Sequence, residues 1–249
     1  MKTLSAATWK RHKTRAEARR TAEAVAAGRP ANDRTLLVFP PFTAIAEVAA
    51  VFAGHAGFAV GGQDVYPAEG GAFTGEISPT MLLDAGAGWV LTGHSERRHV
   101  LGESDAFTGR KTAFALSSGL NVMLCIGETL EEREAGQLEA VLRRQLREGL
   151  GSVTEDAVLA RVAVAYEPVW AIGTGKVAGG VEVLEAHALA RRLLTELAGG
   201  AADRIPLLYG GSVTPANASS LLSLDNVNGL LIGGASLEAE SFLRIAGAA

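Results

Sequence analysis

An alternation along the chain limits its fold more than any other feature. Short apolar or β-branched runs recur, each followed by a longer segment rich in Ala, Leu, Glu and Arg with helical period. The runs are Leu4 to Thr8, Leu36 to Phe39, Phe58 to Gly61, Trp89 to Thr92, Val122 to Ile126, Val162 to Tyr166, Ile205 to Tyr209 and Gly229 to Ile232. They number about eight and return roughly once in thirty residues, the signature of parallel βα units. Thr14 to Ala27, Asp105 to Ser118, Thr129 to Leu150 and Val181 to Ala198 read as helices between them, with Glu131, Glu132 and Arg133 on a solvated face. No shift of composition or Ser/Pro-rich linker breaks the series, and 249 residues with 48% hydrophobic and 30 Gly can bury one large core. Residues 1–249 are therefore expected to form a single domain. A closed (β/α)8 barrel fits better than an open doubly wound sheet, whose Gly-x-Gly-x-x-Gly turn is missing after the first run. In such a barrel, chemistry collects at the carboxyl ends of the strands.

Charge and cysteine usage exclude several classes. With 23 basic against 27 acidic residues and a net charge of −4, nothing recommends nucleic acid or a membrane surface as partner, so any anion must be bound locally. The one cysteine, Cys125, cannot form an intramolecular disulfide and reads as a packed core thiol. Met1 to Ser5 is too short an apolar lead for a signal peptide, and no run of about 18 apolar residues suggests a spanning helix. A cytoplasmic location is the expectation. His12, His55, His99 and His187 have surface or packing roles, and no metal site or cofactor is expected from such scattered ligand types.

Three strand ends carry reactive side chains: Lys10 after the first run, His94 after the fourth and Glu167 after the sixth. A carboxylate, an imidazole and an ammonium at one barrel mouth suit proton transfer on a small anionic substrate. Each also has a plainer reading, as a surface glutamate, a satisfied core histidine and an exposed lysine. Pro168 keeps Glu167 extended rather than helical. Ser95-Glu96-Arg97-Arg98 reads as the opening of a short helix whose partial positive charge disfavours imidazolium at His94. Gly210-Gly211-Ser212 and Gly233-Gly234 follow consecutive strands at the end of the series, where barrels commonly build phosphate sites from backbone N–H groups.

Four stretches together resemble the triosephosphate isomerase family: Ala72 to Ser78 (AFTGEIS), Gly93 to Arg98 (GHSERR), Ala165 to Lys176 (AYEPVWAIGTGK) and Tyr209 to Val213 (YGGSV). The resemblance runs nearly end to end. It implies an aldose-ketose isomerase that interconverts D-glyceraldehyde 3-phosphate and dihydroxyacetone phosphate through an enediolate, without metal or organic cofactor. Glu167 would be the base, His94 the neutral electrophile and Lys10 the cation. A Glu base paired with a neutral His is the general pattern known for this family. Glu96 resembles the family's acidic residue near the lysine. Gly173, Ser212, Gly233 and Gly234 would hold the phosphate of a small phosphorylated sugar. Pro168 to Lys176 resembles a closing lid, held shut by Tyr209 and Ser212. A homodimer is implied, with the Thr74 loop at its interface.

The chain also departs from the family pattern. Thr8 stands where an Asn precedes Trp-Lys, keeping a donor on a shorter side chain at the substrate. Arg11 and His12 replace Met and Asn in the first loop, Asp64 replaces the Asn after Gln63, and Asn228 replaces an Asp. Two further readings therefore stand beside the triose isomerase. One is an isomerase of four-carbon ketose phosphates such as erythrulose 1-phosphate. The other is a weakened barrel that only binds sugar phosphates.

Overall fold

The computed structural model describes residues 4–153, 155–172 and 178–248. Eight strands close into one parallel barrel in chain order: β1 Leu4–Thr8, β2 Thr35–Phe39, β3 Phe58–Gly62, β4 Trp89–Thr92, β5 Asn121–Ile126, β6 Val162–Tyr166, β7 Leu207–Tyr209 and β8 Gly229–Ile232. Pairing of Leu4 with Gly229 through Ala7 with Ile232 joins β8 to β1 and leaves no edge. The helices outside are α1 Arg15–Ala27, α2 Ile45–Phe52, α3 Pro79–Asp84, α4 Ser95–His99, α5 Asp105–Ser117, α6 Leu130–Glu134, α7 Leu138–Leu150, α8 Asp156–Leu159, α9 Gly180–Ala198, α10 Ala218–Leu222 and α11 Ala239–Ala246.

Strand alternation divides the core in two. Leu4, Ala6, Leu37, Phe39, Leu91, Met123, Cys125, Ala163, Ala165, Leu208 and Leu231 fill the barrel interior. Ala7, Leu36, Val38, Val90, Val122, Leu124, Val164 and Leu230 face outward onto the helices. Because side chains alternate with period two, the inward rows continue past Ala6 to Thr8 and past Ala165 to Glu167, both at the mouth. The position of the site residues follows from this parity.

Two expected boundaries move. The single helix over Thr129 to Leu150 is divided into α6 and α7, because Gly136 takes a left-handed φ of 68° and the Gln137 N–H returns to Glu132 O. The strand expected from Ile205 begins at Leu207, since Pro206 brings no N–H to the ladder. Arg133 is not on a freely solvated face: it is half-buried, 2.6 Å from Glu185 and 3.8 Å from the buried Glu128.

Candidate active site

At the carboxyl end of the barrel a cavity of about 350 Å³ is lined by Thr8, Lys10, His94, Glu167, Ser212, Gly233 and Gly234, among others. These are the sequence candidates apart from Glu96, which reaches the site through Lys10, and Gly173, which lies outside the described residues along with Thr174, Gly175 and Lys176 of the expected lid.

Glu167 follows β6 and is 3% exposed. Its Oε2 accepts the Ser95 N–H at 3.0 Å, and its Oε1 lies 3.2 Å from His94 Nε2. The backbone beneath it is tightly packed, since a Cβ on Gly127 would lie 1.8 Å from Glu167 O. Only glycine fits there.

His94 is the N-cap of α4, and its Nδ1 accepts the Glu96 N–H at 3.3 Å. A ring nitrogen that accepts a backbone N–H carries no proton, so the imidazole is neutral with its hydrogen on Nε2, facing Glu167. Arg98 braces this turn from below. Its Nε donates to Gly93 O at 2.7 Å and a terminal nitrogen donates to Cys125 O at 3.1 Å, while the guanidinium pairs with Asp105. Cys125 is buried, as expected of a core thiol, and burial pushes its thiol up well above the ordinary range.

Lys10 has a φ of 48°, a left-handed conformation that a side chain disfavours. Gln63 offsets this by donating to both Lys10 O and Phe39 O at 2.9 Å. The ammonium then meets Glu96 Oε1 at 2.6 Å, and this bond lowers the Glu96 carboxyl against the burial that would raise it. Trp9, buried just before it, donates to Ser236 O at 3.1 Å and so anchors the first loop to the turn after β8.

Ser212, Gly233 and Gly234 line the same cavity, and Gly233 lies close to Lys10, whose ammonium supplies positive charge there. The short 3-10 turn Gly234–Ser236 is held by Ser236 Oγ, which donates to Ile232 O at 3.0 Å and Gly233 O at 2.7 Å. The first turn of the expected lid is fastened by Glu128, fully buried, whose Oε1 accepts from Tyr166 Oη at 3.0 Å and Trp170 Nε1 at 2.8 Å. Tyr209 lies buried with its hydroxyl beside the Ser212 backbone, and burial pushes that hydroxyl up to about 12.

Sequence reasoning missed four contributors: Ser95 as an N–H donor to Glu167, Gln63 as the clasp on Lys10, Arg98 as the brace, and Glu128 as the lid anchor. Gln63 comes directly after β3 and Glu128 two residues after β5, the one signal that could have singled them out. Asp64, one of the departures from the family pattern, is buried in an ion cluster that reaches α4. His187 takes the packing role, buried with its Nδ1 3.0 Å from Asn226 O, while His12, His55 and His99 are exposed.

A closed parallel barrel with a carboxylate, a neutral imidazole and an ammonium converging beside an anion-ready backbone defines a barrel isomerase working by proton transfer. The sequence model of triosephosphate isomerase matches residues 3–249. The chain is similar to the triosephosphate isomerase of Oleidesulfovibrio alaskensis, 62% identical over 247 residues that cover 98% of this chain and 99% of that one. It is also similar to those of Nitratidesulfovibrio vulgaris strain Miyazaki F, 60% identical over 248 residues, and Lawsonia intracellularis, 50% identical over 248 residues, each covering 98% of this chain. The relatives themselves are covered over 99% and 97% of their lengths. The chain belongs to the triosephosphate isomerase family.

Proposed function

We infer that this protein is an isomerase that interconverts D-glyceraldehyde 3-phosphate and dihydroxyacetone phosphate, with Glu167 as base, His94 as electrophile and Lys10 as the fixed cation. The observation that carries the reading is the His94 tautomer. Its Nε2 lies at the cavity, 3.2 Å from Glu167 Oε1 and within reach of substrate oxygens, and among the described residues no lysine or arginine pairs with the Glu167 carboxylate.

Glu167 removes the proton from the carbon next to the carbonyl. Electrons move onto the carbonyl oxygen, and the developing enediolate is held by the Lys10 ammonium and the His94 N–H. His94 gives its Nε2 proton to one oxygen and regains one from the other. Glu167 then returns its proton to the adjacent carbon, so no proton is gained or lost. Substrate oxygens compete with Glu167 for His94, so the carboxylate must leave the Ser95 and His94 donors and move over the substrate. The phosphate is held at Ser212, Gly233 and Gly234, with Gly173 assigned to the same role, and Thr8 completes the substrate contacts. Neither a metal nor an organic cofactor has a part in this scheme.

A homodimer is part of the same proposal. Phe73, Met81, Leu83, Val100 and Leu101 are exposed apolar side chains around the Thr74 loop and the mouth. Beside Lys10, His94, Glu96 and Leu101 a second cavity of about 110 Å³ offers room for the Thr74 loop of another copy. Among the described residues no helix is long and apolar enough to cross a membrane. A cytoplasmic place, in glycolysis and gluconeogenesis, accords with the reading.

The test is kcat/KM on glyceraldehyde 3-phosphate beside erythrulose 1-phosphate, with Glu167→Gln as control. Preference for the triose with a drop of roughly 10² to 10⁴ in the variant is expected. A fully active Glu167→Gln protein removes the base assignment, and preference for the tetrulose removes the substrate.

A further inference from the structure

Outside the reacting groups, the most unusual cluster of charge lies under α4. Lys111, on α5, is 1% exposed, yet its Nζ meets both Asp64 oxygens at 2.7 and 2.9 Å and Glu103 Oε1 at 2.5 Å. Arg97, on α4, reaches Asp64 Oδ2 at 2.9 Å and Glu103 Oε1 at 2.6 Å. Two cations thus face two carboxylates in a nearly closed space, with Glu76 acting on Arg97 from the loop after β3. The cluster is neutral only while Asp64 is ionised.

Both ends of this cluster lead to the site. Asp64 follows Gln63, whose amide clasps Lys10 O and Phe39 O. Arg97 belongs to the turn whose first residues are His94, Ser95 and Glu96, and its own N–H bonds His94 O at 2.8 Å. One carboxylate therefore staples the loop beneath Lys10 to the helix that aims His94 and the Ser95 N–H at Glu167.

We propose that Asp64 is a positioning residue for the isomerisation: gripped by Lys111 and Arg97, its carboxylate holds α4, and with it His94 and Ser95, against Glu167, and it releases that grip on taking up a proton. The inference rests on the His94 and Glu167 assignments above. Lys111 and Arg97 are donors only, so a protonated Asp64 offers them no charge and fewer acceptor sites, and their grip on it weakens. Arg97 then has somewhere to turn, because Glu103 Oε2 is buried and has no hydrogen-bond partner among the described residues. Burial pushes the Asp64 carboxyl up to about 6 against the pull of Lys111 and Arg97, which brings the release into the mildly acidic range.

A positioning role and a structural one differ in what they do to kcat in the folded protein. A carboxyl raised from its unfolded value of 3.8 to about 6 favours the fold at low pH, and that contribution is lost as pH rises through 6. Removing the charge takes two contacts from the buried Lys111 ammonium, so activity is compared well below the melting transition, where a merely structural loss leaves kcat unmoved. For Asp64→Asn at pH 7.5, assayed well below its own melting transition, we expect kcat reduced roughly threefold to tenfold and KM changed less than about twofold. Its kcat profile between pH 5 and 8 should lack the acid step of the natural protein. Unchanged kcat with an unchanged acid step overturns the proposal, and so does a loss of kcat that merely follows a lowered melting temperature. Should the variant fail to fold, the natural protein carries the test by NMR. The Asp64 carboxyl carbon and the Glu96 amide must titrate with a common midpoint, and an amide that stays flat while Asp64 titrates ends the idea. An error in the base assignment would show separately, as a fully active Glu167→Gln protein.

Discussion

Thr8 is the residue at which this chain differs most consequentially from its family pattern. It is buried at the mouth, on the inward row of β1 and in the wall of the cavity. Its hydroxyl is a donor on a side chain one atom shorter than Asn. Restoring a well-placed amide would add a hydrogen bond to substrate, and such a bond contributes about 0.5–1.5 kcal/mol net. Thr8→Asn should therefore raise kcat/KM on glyceraldehyde 3-phosphate by roughly twofold to tenfold, measured by coupled assay on the purified variant. A fall would mean that the cavity is shaped around threonine. At this scale the sequence was informative because His94 and Glu167, the proposed electrophile and base, sit in long motifs and Lys10 follows the first apolar run, and the structure brings all three to one cavity with the glycine turns. Ser95, Gln63 and Arg98 were not legible, because their work is done through backbone donors and acceptors that carry no compositional mark.

The strands were legible almost residue by residue, since buried parallel strands appear as short apolar runs between longer helical segments. The division of Thr129 to Leu150 was less so, because Ala, Gly and Gln at 135–137 interrupt the helix without a proline or a polar cluster to announce it. The buried cluster under α4 was invisible for another reason. Asp64, Arg97, Glu103 and Lys111 come from separate connections and helices, and only barrel closure brings them together. Element contacts also fix how rigid the catalytic strand end is. A methyl group on Gly127 must displace the Glu167 carbonyl, so Gly127→Ala should lower stability by roughly 1–3 kcal/mol, the range for overpacking, and cut kcat more than it raises KM. Thermal melts and steady-state kinetics on the one variant check both. An unaffected kcat would show that the carboxylate tolerates movement of its own backbone.

At the scale of the whole molecule, several large apolar side chains are left in water, among them Phe73 in the Thr74 loop and Val100 and Leu101 just after α4. Phe73 is 43% exposed, Leu101 62% and Val100 76%, large values for side chains that cost about 25 cal/mol for each Å² left in water. The homodimer proposed above would cover them. Leu101→Glu should shift the protein toward monomers in sedimentation analysis. Activity should fall with dilution over the same concentration range, because the covered surface adjoins Lys10 and His94. Monomers with full activity would separate the surface from the chemistry.

The inward rows of the barrel also act as a ruler for what this chain can become. Ala163, Ala165 and Glu167 share one parity, as do Leu4, Ala6 and Thr8. One residue added within β6 would turn Glu167 out toward the helices and leave the mouth without its carboxylate. Two added residues would keep it inward but raise it roughly 6.6 Å above His94. Neither length serves, so change by insertion is confined to the loops beyond the strand ends, while the count of residues within each strand is held fixed by the chemistry above it.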